Sequence, residues 1–114
     1  MSDRDFTQAG FELARKDLGL EALGQKEYSR EELIQYLAEK VAYMMEYELE
    51  QLFSLLYRMD VQQISVEKAL NPEEITPSNI AIAELILNRQ VQRAKTKAEY
   101  KQNTIDDLDE ELKF

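Results

Sequence analysis

The 114 residues contain no histidine and no cysteine. The missing histidine excludes Ser-His-Asp triads, imidazole acids and bases near neutral pH, and the usual zinc, copper and non-haem iron sites. Di-metal carboxylate sites of helical bundles lose their Glu-x-x-His pairs for the same reason. The missing cysteine removes disulfides, thiol nucleophiles and thiolate ligands, a usage that fits a cytoplasmic setting. Chain breakers are scarce too, with three glycines and two prolines. The longest apolar runs, "LFSLLY" and "IAIAELIL", fall far short of the ~20 residues that cross a bilayer. The acidic, polar opening "MSDRDFTQAG" does not make a secretory signal. We therefore expect no membrane span, no metal and no cofactor, and the residues point away from an enzyme.

What remains is rich in Leu, Glu, Gln, Ala and Lys, strong helix formers, and the β-branched residues never build an alternating pattern. The expectation is an all-α protein with one domain over residues 1–103 and an acidic tail over 104–114. A net charge of −9 argues against general attraction to nucleic acid or an anionic membrane.

Boundary signals divide the domain into a three- to four-helix bundle. Phe11, Ala14 and Leu18 give a loose helical pattern within residues 1–28, with Gly19 as a stop. "YSREEL" sets Ser29 as N-cap and Glu32 three residues on, a capping box. From there one uninterrupted helix is expected to about Met59. Asp60 reads as the N-cap of a short connecting helix over about 61–70, closed by Asn71-Pro72. Thr76 as N-cap and Pro77 in the first helical position open a second long helix to about residue 102, with a seam of Ile80, Ala83, Leu87, Val91, Ala94 and Ala98.

On a helical wheel, Ile34, Leu37, Ala38, Val41, Met45, Leu49, Leu52, Leu55, Leu56 and Met59 form the core face of the first long helix. Tyr36, Tyr43 and Tyr47 fall on the opposite line, with Tyr57 at its edge. Tyrosine joins a large contact area to a polar handle and is enriched at interfaces. Two covers for this line stand open: the N-terminal segment of the same chain, or a partner, for which a homodimer is the commonest form. Glu48 alone of the nearby carboxylates borders the apolar band. Arg89 or Arg93 is its expected ion-pair partner, since burial unpaired costs several kcal/mol.

Residues 89–103 carry five basic residues against one acid. Arg89, Arg93, Lys97 and Lys101 recur every four residues as one ridge, the candidate surface for a phosphate or nucleic acid. A solvated face whose cations suit a helix C-terminus is the plainer reading. The tail that follows, "TIDDLDEELKF", could dock on that ridge or fray.

"LLYRMDV" followed by "IAELILNRQVQRAKTK" resembles a group of short uncharacterised bacterial all-helical proteins, over roughly residues 30–101. The resemblance implies a helical fold and supplies no activity and no catalytic residues. Its matching positions are Tyr57, Arg58, Asp60 and Val61 at a turn, and Arg89, Gln90 and Gln92 on the following helix. Arg58, one turn before the junction, can bind carbonyls released at a helix end.

The leading functional expectation is a non-enzymatic protein that self-associates, or binds a protein partner, through the tyrosine face. A nucleic-acid- or phosphate-associated factor using the ridge is the alternative. A small-ligand pocket near Glu48, working with a tyrosine hydroxyl, ranks behind both.

Overall fold

The computed structural model describes residues 2–111, with side chains through Tyr100. Five helices and no strand occur among them: α1 (Asp3–Asp17), α2 (Arg30–Tyr47), α3 (Leu49–Arg58), α4 (Gln63–Ala69) and α5 (Ser78–Glu111). The centre is α5, against which α1, α2 and α4 all pack.

Local chemistry explains where the helices start. Ser2 caps α1 through a box in which its hydroxyl accepts from the Asp5 N–H and the Asp5 carboxylate accepts from the Ser2 N–H. At α2, Ser29 Oγ accepts from the Glu32 N–H at 3.1 Å and Glu32 Oε1 accepts from the Ser29 N–H at 3.0 Å. That backbone bond, favouring the charged form, holds the Glu32 carboxyl below its usual value. Pro77 precedes α5 instead of opening it. The Ala81 N–H donates to the Pro77 carbonyl at 2.9 Å, a one-residue difference from the sequence reading. No side-chain hydrogen bond from Thr76 accompanies that start among the described residues.

Helix ends diverge more from expectation. α1 closes with Gly19 at φ 71°, where the Gly19 N–H bonds the Lys16 carbonyl and the Leu20 N–H bonds the Arg15 carbonyl. α3 ends in the same motif. Asp60 takes φ 63°, its N–H bonds Tyr57 O, and the Val61 N–H bonds Leu56 O. Asp60 is therefore the left-handed residue that terminates α3 and does not cap α4, whose N-cap position falls on Gln62. Arg58 does not bind the freed carbonyls. Arg89 does, its Nε donating to Met59 O at 2.8 Å.

The expected single helix over 30–59 is two helices, parted at Glu48 (φ −140°, ψ 46°). Glu48 stands in register with the core row Val41, Met44 and Leu52, where a continuous helix would turn its carboxylate inward. At the break its side chain is one-third exposed, 3.9 Å from Lys40 Nζ. Its partner is thus Lys40, not Arg89 or Arg93. Ile34, Leu37, Ala38, Val41, Leu52, Leu55, Leu56 and Met59 of the expected core face are buried across the break; Leu33 and Met44 join them, while Met45 is partly exposed and Leu49 faces solvent.

α5 buries two adjoining rows because it has neighbours on both sides. Ala83 and Leu87 of the expected seam are buried, and Ile82, Ile86 and Gln90 are fully buried beside them. α1 approaches α5 so closely that a Cβ at Gly10 would stand 2.5 Å from Val91 Cγ2 and 2.6 Å from its backbone nitrogen. Gln90 carries no exposed surface. Its amide donates to the Asp17 carboxylate and its oxygen accepts from Arg93 at 3.4 Å.

Three outcomes check these assignments. Gly10→Ala should destabilise by about 1–3 kcal/mol in urea denaturation, because a clash with backbone outweighs alanine's helix propensity; a gain in stability would refute the close approach. Asp60→Gly should melt no lower than the parent, while Asp60→Val should lose about 1–2 kcal/mol, since only glycine takes the left-handed conformation freely. Equal losses in both would return Asp60 to a capping role. Finally, a lowered folded-state carboxyl contributes stability present above its unfolded pKa and lost as pH falls through the folded one. The stability gap between parent and Glu32→Gln should thus be open at neutral pH and close on acidification below about pH 4; a gap unchanged down to pH 2 would contradict it.

Candidate functional site

The four tyrosines of the expected face do not stay together. Tyr36 is covered by its own chain: its ring lies 6.0 Å from that of Phe11, and its hydroxyl donates to the Glu21 carbonyl at 2.8 Å. The N-terminal segment therefore takes the first position of the line. Cover stops there. Tyr43 and Tyr47, one turn apart near the end of α2, are 50% and 67% exposed and touch in a tilted pair, ring centroids 5.0 Å apart and planes at 47°. Lys40 Nζ stands 5.0 Å from the centroid of Tyr43, so the cation that pairs with Glu48 also fixes one edge of this aromatic pair.

Tyr57 belongs to a different set, which the wheel of a continuous helix concealed. On α3, Leu49, Phe53 and Tyr57 recur every four residues and are all exposed, Tyr57 to 83%. The inner face of the same ten-residue helix buries Leu52, Leu55 and Leu56. α3 is thus apolar on two sides, and only one is covered. Beside the outer row an apolar groove of about 320 Å³ runs between α3 and α4, lined by Phe53, Leu56, Tyr57, Val61, Val66 and Leu70. Ile64 of α4 adds a further exposed aliphatic side chain.

Around Glu48 the chain does form a cleft, of about 530 Å³, between the end of α1 and the α2–α3 junction. Lys16, Lys40 and Arg58 line it with Asp17, Glu48 and Glu50, three charges of each sign. No tyrosine lines it, so the expected partnership of Glu48 with a tyrosine hydroxyl is not assembled there.

Of the basic ridge, Arg89 is drawn into the fold while Arg93 stays exposed. Arg89 binds the end of α3 and lies 3.7 Å from the Asp60 carboxylate, and Arg93 bonds Gln90. Lys95, off the ridge, stands 3.9 Å from Asp3 and near the Phe6 ring. Lys97 is exposed. Lys101 and the acidic side chains of the tail lie outside the described residues, as does any docking of one on the other. No described helix is long and apolar enough to cross a membrane.

Sequence reasoning missed Leu49 and Phe53 as surface residues and Gln90 as a core residue. The spacing of four in Leu49, Phe53, Tyr57 was readable, but a helix unbroken at Glu48 assigned Leu49 to the core. Comparison with protein-family models, curated proteins and solved structures finds no match to this chain.

Proposed function

We propose that the protein is a non-enzymatic helical protein that works by self-association through the outer aromatic face of the α2–α3 limb. The observation that carries this reading is the uncovered apolar surface there: Tyr43 and Tyr47 on α2, then Leu49, Phe53 and Tyr57 on α3. Aromatic side chains bring much contact area at little conformational cost, which is why such clusters anchor interfaces. The chain's own N-terminal segment covers Tyr36 and leaves the others bare. A phosphate- or nucleic-acid-binding role draws less support, because Arg89, the first residue of the ridge, is engaged by Met59 O and Asp60.

Sedimentation or light scattering over a concentration series tests the reading. The parent should show a mass that rises towards twice 13.4 kDa. Tyr43→Ala/Tyr47→Ala should shift that rise to higher concentration, with helix content unchanged because both side chains are exposed. A parent that stays monomeric at millimolar concentration would overturn self-association.

A further inference from the structure

The exposed arc of α3 carries a second row beside the apolar one, on the flank that borders the charged cleft around Glu48. Glu50, Ser54 and Arg58 also recur every four residues, and all three are exposed. Among the described residues Glu50 and Arg58 have no ion pair and no side-chain hydrogen bond. On the wheel the two rows are neighbours, Leu49, Phe53 and Tyr57 covering one half of the exposed arc and Glu50, Ser54 and Arg58 the other. Each row is centred near the same point of the helix, at Phe53 and Ser54.

From this pattern we infer that α3 pairs antiparallel with α3 of a second copy, about a twofold axis passing beside Phe53 and Ser54. The inference rests on the self-association proposed above and supplies its orientation and register. Under such an axis each row meets its own copy reversed. Phe53 packs on Phe53 of the other chain, and Leu49 packs on its Tyr57, at the rim of the apolar groove. Glu50 meets the other chain's Arg58, twice over, and Ser54 meets Ser54. A parallel pair, whose twofold runs along the helices, would instead set each row against the other, leaving Glu50 and Arg58 opposite apolar side chains. The pattern is therefore complementary to a second copy in one orientation and mismatched in the other. A ten-residue helix offers an interface below about 1,200 Å² in total, so the association is weak and concentration-dependent.

Charge reversal tests the register by sedimentation equilibrium. Glu50→Arg alone, or Arg58→Glu alone, turns both ion pairs into repulsions and should raise the dimer Kd by about tenfold. The double variant Glu50→Arg/Arg58→Glu should return to the parent value. An equimolar mixture of the two single variants should form heterodimers at least as tight as the parent dimer, since every facing pair is then opposite in sign. The absence of native cysteine allows a second readout. Ser54→Cys, at the axis, should oxidise to a covalent dimer. Glu50→Cys should not, because the two copies of residue 50 stand about 12 Å apart along the helices. If the parent dimerises but neither single reversal weakens it, or Glu50→Cys crosslinks as readily as Ser54→Cys, the antiparallel register is wrong while self-association stands. A monomeric parent removes both.

Discussion

Most of this fold is referred to α5. Val91 receives the bare backbone of Gly10, and Gln90 holds the last turn of α1 through Asp17. Asn79 donates to the Ala38 carbonyl of α2 at 3.3 Å, and Asn88 accepts from Arg30 at the start of α2. Arg89 reaches the end of α3. Each contact spans from 30 to 81 positions of sequence (Met59 to Arg89, Gly10 to Val91), so none can form until the chain has folded back on itself. The buried Ile82, Ile86 and Leu87 supply the apolar adhesion, and these polar contacts fix how far along α5 each partner helix stands. Gln90 shows the cost of such a device. A buried amide left unpaired costs about 1–3 kcal/mol, so its two partners must arrive together.

The second organising constraint is the carboxylate of Glu48. A core row that would place it inside is interrupted by one unwound residue, and the helix restarts at Leu49. Two features stand beside this break. Leu49 leaves the core and joins Phe53 and Tyr57 on an outer row. The fold then has a helix whose inner face is satisfied by Leu52, Leu55 and Leu56, yet whose outer face still offers three large apolar side chains to solvent. The surface on which the functional reading rests thus begins at the residue after that break.

This history explains what was legible in the sequence. The all-α class followed from composition, and the capping box at Ser29 and Glu32 and the stop at Gly19 followed from residue chemistry over three or four positions. Such features are local. Asp60 misled because aspartate serves both as an N-cap and as a tolerated left-handed residue, and only tertiary context selects between them. The box at Ser2 was obscured because Asp5 stands where Glu or Gln is usual. Gly10 and Gln90 look ordinary in sequence, and their roles exist only once α1 lies on α5. The tyrosine line was a correct pattern drawn on a helix that does not continue. Its first member is spent on Phe11, and its last belongs to α3.

A net charge of −9 bears on what kind of association such a surface supports. Two copies repel at long range, and the repulsion is screened over a Debye length of about 8 Å at physiological ionic strength. Contacts anywhere on the acidic surface are therefore disfavoured, while a patch combining Leu49, Phe53 and Tyr57 with one acid and one base suffers no local penalty when it meets its reversed image. In the proposed pair, added salt would weaken the two Glu50–Arg58 contacts but also relieve the repulsion between whole chains. The apolar row, indifferent to both, would then be what remains to bind. The charges would choose the orientation and discourage other encounters, and the aromatic side chains would supply the adhesion.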